Sequence, residues 1–389
     1  MKKILHNKLL YRDALLCTVM TFVVAGLLYF AFVNLSILDP FERAFKDFKF
    51  TDIFYSKRFN KEQRNDKIII VNIKHSDRFQ IAEAINTIAE QNPKVIGLDI
   101  IFKERKQEFI DSILKNTLHR HENIVTAYFN DNDSIINNHD YFKLNAEKKG
   151  FINLNLKGQN TVIREFIGVK GEDEKEYSFA TKIALEADFI TEEYALKELK
   201  KPIPINYIGN KDVFLNFEIE EVLSSDKIPA FKDAVVLLGY LSDGNEAYDI
   251  EDKHFTPLNE AWVGRATPDT YGVVIHANIL NMLSQKSLMY RISVFSTYVL
   301  AFVLCFFSIF FGMKIYKRNS FVFDITEKLV QLIISVVFLY LALVLLQVNI
   351  YINVVPIILL CLLGLEMIDY YEHLVIQLNK KYGWESHLL

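Results

Sequence analysis

The chain has 389 residues, 51% of them hydrophobic, and a formal net charge of −4. That balance leaves no basic footprint for nucleic acid. Its three cysteines, Cys17, Cys305 and Cys361, all sit in apolar runs, so the polar region between them has no disulfide, no thiolate nucleophile and no cysteine metal site.

Residues 1–13 carry Lys2, Lys3, Lys8 and Arg12 ahead of an uncharged apolar run at 14–34. About twenty such residues cross a hydrocarbon core about 30 Å thick. The run is longer than the apolar part of a signal peptide and no small-x-small cleavage site follows it, so an uncleaved anchor is expected. Three more apolar runs come late, at 292–313, 329–348 and 350–368, the last carrying Pro356 and ending at Glu366 and Asp369. The loop between the second and third runs holds Lys314, Lys317, Arg318 and Lys328, and the turn at 349–353 holds no Lys or Arg. The bias of basic residues toward the cytoplasm places both termini inside and the large middle region outside. The expectation is a multi-pass protein of the cell (inner) membrane with a four-helix transmembrane region and a cytoplasmic tail at 369–389. In that tail Ile368, Tyr371, Val375, Leu378 and Tyr382 recur three and four apart, a short heptad stripe suited to a dimer seam or to a partner.

The middle region, 35–287, opens with a mixed aromatic and basic stretch around 41–50. Strands are then predicted at 67–73, 94–102 and 123–129, alternating with helical spacing at 78–91 and 107–118. Strand–helix–strand alternation implies right-handed crossovers and a mostly parallel sheet covered on both faces, hence a three-layer α/β domain. A polar loop at 130–140 follows. Two strands, at 150–156 and 163–169, read as a pair joined by a turn at 157–160. Helices are predicted at 176–187 and 216–224, with a short strand at 203–207 between them. A buried and central strand is predicted at 234–240, then a long acidic loop at 241–269. The region closes with a helix at 271–283, YGVVIHANILNML, the joint through which it would act on the membrane helices.

Several fragments in this order resemble the CHASE2 domain, an extracytoplasmic sensory domain of bacterial signalling proteins. They are KVIGLDIIF, GFINL with the Ile163-Arg164 pair, INYIGN, VVLLGY, DKHFTPL and YGVVIHANILNML. The resemblance implies one span before the domain, three after it and a cytoplasmic output module. Here the chain runs only about twenty residues past the last apolar run, so a separate protein is expected to read the signal. The family tends to carry an acid after the first strand. This chain has Lys74-His75-Ser76-Asp77 there.

Asp99 is the sharpest candidate site residue. A carboxylate inside VIGLDIIF costs several kcal/mol if it is buried without a partner. Parallel sheets bind ligands past the carboxyl ends of their strands. Asp99 is therefore expected to be a structural acid that caps a loop or bonds backbone amides; the functional alternative is a ligand crevice shared with His75, Ser76, Asp77 and Tyr240. At the joint, His276, Asn278 and Asn281 are the candidate coupling residues. Asp243, Glu246, Asp249, Glu251 and Asp252 crowd one loop, but their spacing fits no calcium loop. His119, His121 and Glu122 end a helix, where such residues suit the dipole. No metal and no cofactor is expected. The common nucleotide, hydrolase and metalloprotease motifs are absent, so no enzyme is expected. The functional expectation is a sensor of an extracytoplasmic ligand or protein. The alternatives are a structural subunit of an envelope complex and an extracytoplasmic enzyme.

Overall fold

A computed structural model describes residues 2–34, 52–56, 64–131, 134–144, 148–154, 162–172, 174–225, 227–242, 250–259, 267–318 and 320–389. The aromatic and basic stretch around 41–50 and the turn at 157–160 lie outside these residues, as do Asp243, Glu246 and Asp249. Two compact units form, Met1–Phe45 with Tyr290–Leu389, and Lys46–Met289.

After α1 (Lys2–Asn34) and the short α2 (Asp52–Ser56), the second unit follows the alternation expected of it. β1 (Asn65–Asn72), α3 (Arg78–Ala89), β2 (Val95–Leu98), α4 (Glu108–Arg120) and β3 (Ile124–Asp131) come first. Then follow β4 (Ser134–Ile136), β5 (Lys149–Phe151), β6 (Glu165–Phe166), β7 (Val169–Lys170), β8 (Glu176–Tyr177), α5 (Phe179–Glu186) and α6 (Glu192–Glu198). β9 (Ile203–Pro204), β10 (Phe214–Glu218), α7 (Ile219–Ser224), β11 (Val235–Gly239), β12 (Lys253–His254), β13 (Thr270–Tyr271) and α8 (Gly272–Ser284) complete it. The central sheet has the order β10-β1-β11-β2-β3-β4, with β5 also on β3. Every pairing in it is parallel except β3 with β4.

Both sheet faces are covered. Ile69, Val71, Ile96, Leu98, Val236 and Leu238 form one apolar cluster with Ile81 and Ile85 of α3, Leu114 of α4, and Ile219 and Val222 of α7. The alternate residues Ile68, Ile70 and Leu237 are fully buried on the opposite face, where α5 and α8 lie against the sheet. Each fully buried aliphatic side chain contributes about 1.5–3 kcal/mol.

Four expectations are corrected. β2 ends at Leu98 instead of running to residue 102. The Phe102 amide leaves the ladder and donates to Asn138 Oδ1 (2.7 Å), so Asp99 becomes the first residue past the strand. The expected strand pair separates: β5 joins β3 and β6 joins β9, because the buried Gly150 and Phe151 extend the parallel sheet. Residues 216–218 are strand. β10 supplies the neighbour that β1 needs, and α7 starts only after the capping box of Glu218 and Glu221. Residues 176–177 belong to β8, and α5 begins behind the Ser178 cap.

The first unit holds α1, β14 (Tyr290–Arg291), α9 (Val294–Arg318), α10 (Ser320–Gln347), β15 (Ile350–Tyr351) and α11 (Val355–Tyr382). Among the described residues, three stretches are long and apolar enough to cross a membrane: Lys8–Ala31, Val294–Arg318 and Val322–Gln347. The region of the fourth expected span forms the helix α11, which is not among these three and starts at Val355, because Ile350 and Tyr351 pair with Tyr290 and Arg291. That helix carries Glu366, Asp369 and Glu372, which interrupt the apolar run. α9 packs along α11. At their crossing a Cβ on Gly364 would stand 2.7 Å from Cys305 Sγ, so only glycine permits that approach. Of the tail stripe, Ile368, Tyr371 and Val375 are buried inside this unit, while Leu378 is half-buried and Tyr382 exposed. The fully buried Asp13 of α1 accepts from Ser386 Oγ (2.7 Å) and the His387 amide (2.7 Å), folding the chain end back onto the bundle.

Candidate functional site

The carboxyl ends of β1, β11 and β2 lie side by side, and Asn72 ties the ends of β10, β1 and β11 together. This buried side chain was not singled out in the sequence. Its Oδ1 accepts from the amides of Lys74 (3.1 Å) and Leu241 (3.0 Å). Its Nδ2 donates to Glu218 Oε2 (3.0 Å) at the end of β10 and to Ser242 O (2.8 Å). One amide side chain thus closes three strand ends. The signal was an Asn ending an otherwise apolar strand, a position where a buried polar group needs partners.

Past these ends stand the candidate crevice residues. The Asp99 amide donates to Leu238 O (2.9 Å), which keeps Asp99 against β11. Among the described residues no donor reaches its carboxylate. Desolvation, followed by the charge of Asp252, pushes the Asp99 carboxyl up to about 8. The His75 ring lies 5.5 Å from the Tyr240 ring, which lies 5.9 Å from Tyr271. His75 Nε2 is 3.7 Å from Glu251, and His254 Nε2 is 3.7 Å from Asp252. Asp77 instead caps α3, accepting from the Gln80 amide (2.9 Å) in a capping box. Ser76 donates its amide to Ile73 O (3.0 Å) in the turn after β1. The structure therefore gathers Asp99, His75 and Tyr240 with Glu251, Asp252 and His254, and commits the Asp77 side chain to the α3 cap.

The acidic loop is partly a clip. β12 pairs with β13. Between them Asp269 accepts from Thr256 Oγ1 (2.7 Å), Thr270 Oγ1 (2.6 Å) and Asn259 Nδ2 (3.2 Å). Burial raises the Asp269 carboxyl despite those donors. Among the described residues no group of three His, Cys, Asp or Glu is arranged to hold a metal ion. His121 instead meets Asn86 Oδ1 (2.9 Å).

α8 is buried at every residue from Gly272 to Leu283, which explains why no simple apolar stripe was visible. Its polar residues pin it in place. Asn278 accepts from the Ile208 amide (2.9 Å) and donates to Gly209 O (3.0 Å). Asn281 accepts from Asn65 Nδ2 (2.7 Å). His276 packs edge-to-face on Phe179 (5.3 Å), and burial, then the charge of His254, lowers it to about 3. It stays neutral near pH 7, which favours a packing role over a pH switch. The first turn of α8 lies against the Asp252 loop. The Gly272 amide donates to Asp252 O (3.0 Å). A Cβ on Gly239 would come within 2.9 Å of Val273 and 3.3 Å of Asp99. The end of β11, Asp99 and α8 thus meet at one glycine.

Neither the curated proteins nor the solved structures contain a match to this chain. A family model does match, under the description CHASE2 domain, over residues 19–313. The matched segment starts inside α1 and ends inside α9, so it takes in apolar helices on both sides of the α/β unit. The chain belongs to the CHASE2 family of extracytoplasmic sensory domains.

Proposed function

We propose that the protein is a membrane-anchored sensor whose α/β unit faces the extracytoplasmic side. Its input is the crevice past β1, β11 and β2, and its output element is α8. The carrying observation is one arrangement. The Asp99 carboxylate has no donor among the described residues and lies near a second carboxylate, Asp252. The backbone of Asp252 holds the first turn of α8. A ligand that donates to Asp99 or neutralises it removes the repulsion between the two acids. The Asp252 loop then settles differently on α8. Because α8 is buried all round, it responds as a body, and residues 285–293 alone separate it in the chain from α9. The ligand acts by favouring one of two packings of this helix.

The orientation rests on Lys314, Lys317, Arg318 and Lys328 around the α9–α10 turn, which favour a cytoplasmic turn. α11 completes a four-helix membrane region in this reading, and a separate cytoplasmic or membrane protein reads its state. Hydrogen exchange of the full chain in detergent tests the input. Asp99→Asn, which removes the charge and keeps the shape, is expected to slow exchange in the first turns of α8. Unchanged exchange there would refute the link between crevice and helix.

A further inference from the structure

A half-open groove of about 660 Å³ lies elsewhere on the α/β unit. That volume falls within the range of about 300–1,000 Å³ that small-molecule sites occupy. Tyr128 of β3 and Lys149 of β5 line it together with Glu176 and Tyr177 of β8, and Lys182 and Leu185 of α5. Some of the charges around it cancel internally. Lys175 pairs with Glu192 (3.2 Å), which also accepts from the Tyr177 hydroxyl (2.8 Å), and Lys182 pairs with Glu186 (2.7 Å).

Two opposite charges form no ion pair among the described residues. Lys149 holds its Nζ 5.1 Å from the centre of the Tyr128 ring, and among the described residues no carboxylate lies within ion-pair distance of it. Glu176 accepts from two neutral donors, Asn130 Nδ2 (2.9 Å) and the Tyr128 hydroxyl, and Lys170 lies near enough to feel its charge without forming an ion pair with it. The same aromatic ring thus carries an ammonium on its face and a carboxylate at its hydroxyl end. Each is oriented, and neither is neutralised by the other. A polyanion would meet Glu174, Glu176 and Glu192, and an apolar ligand would find, among the described residues, Leu185 as the one aliphatic lining side chain. The complementary ligand carries one charge of each sign.

We propose that this groove binds a small zwitterion, a free amino acid or a short peptide with unblocked ends, with its carboxylate on Lys149 and its ammonium on Glu176. Charge-assisted bonds of this kind are the strong ones in a partly dry site. The outer face of α5 lines the groove, and its Phe179 packs on His276 of α8. Occupancy therefore has a route to the same helix as the crevice. That route rests on the sensor reading, whereas the binding itself does not.

The test uses the full chain in nanodiscs, titrated calorimetrically with a pool of the twenty L-amino acids and a mixed dipeptide pool. Binding from at least one pool is expected. The identified binder should lose at least tenfold in affinity when its amine is acetylated or its carboxylate amidated. Lys149→Met should weaken the free acid about tenfold and leave the amide's affinity unchanged. Glu176→Gln should do the reciprocal with the acetylated form, and thermal melting of both variants confirms folding. Absence of binding from both pools would overturn the proposal, as would blocked derivatives that bind within twofold of the parent. Binding that leaves α8 exchange unchanged would count against the groove's route to α8 and leave the site standing. Absence of binding would remove the site and leave the crevice reading untouched.

Discussion

Asp99→Asn gives the most informative stability measurement. Asp99 has a folded-state pKa of about 8 against an ordinary value of 3.8. A carboxyl whose pKa is raised on folding binds its proton more tightly in the native state. Its penalty is therefore absent below about pH 4, grows as the pH rises, and is complete above about pH 8. At pH 7 the gap from the ordinary value is about three pH units, a ceiling of about 4 kcal/mol at 1.36 kcal/mol per unit. Asp99 keeps partial contact with solvent, which screens the effect to about 2 kcal/mol. For a domain of this size that corresponds to a rise of about 6 °C in melting temperature. The assay is thermal unfolding of the full chain in detergent, wild type against Asp99→Asn, at pH 4.5, 6, 7 and 8. The variant should match the wild type at the lowest pH and gain steadily above it. A difference that is flat across pH, or a variant less stable at pH 8, would refute the placement of Asp99 as an acid without donors.

Three further outcomes follow from the packing. Arg164 and Asp52 form a two-pronged, largely buried pair (Nε to Oδ1 2.9 Å, Nη2 to Oδ2 2.7 Å). Asp52→Ala takes the carboxylate from a largely buried guanidinium and should cost about 3–5 kcal/mol, while the double variant Asp52→Leu with Arg164→Met should recover most of that in chemical denaturation. Asn278→Leu leaves the Ile208 amide and the Gly209 carbonyl without their α8 partner, at about 2–4 kcal/mol, with accelerated exchange of the Ile208 amide as its signature. Asp13→Ala releases Ser386 and His387, so the tail after Gly383 should be cut by protease much faster than in the wild type.

The parallel core was legible because its strands are short apolar runs between amphipathic helices, and the buried β11 was rightly placed in the centre. What escaped were elements defined by their neighbours. Residues 215–218 alternate apolar and polar, but the run is short and leads straight into helical spacing, so β10 is settled by the open edge that β1 offers. β5 and β6 look like a hairpin locally, yet each finds a better partner elsewhere. The crevice was half legible. Asp99 was conspicuous as a charge in an apolar strand. Asn72 was not, although it joins three strand ends, because an Asn after an Ile-rich run also reads as an ordinary strand stop. Ser76 and Asp77 looked like ligand contacts, and Asp77 proved to be a helix cap with Gln80 three residues on. In the tail, heptad spacing was correctly seen as an apolar seam, but spacing alone does not say whether the seam faces a second chain or the helices of its own.

The central claim is that the α/β unit lies outside the cytoplasm. A cysteine placed at the exposed Lys232, Lys232→Cys, reports on it directly, because the native Cys17, Cys305 and Cys361 are buried and give little background. Intact cells treated with a membrane-impermeant maleimide should label the variant fully without lysis. Labelling that appears only after the membrane is opened would contradict the account.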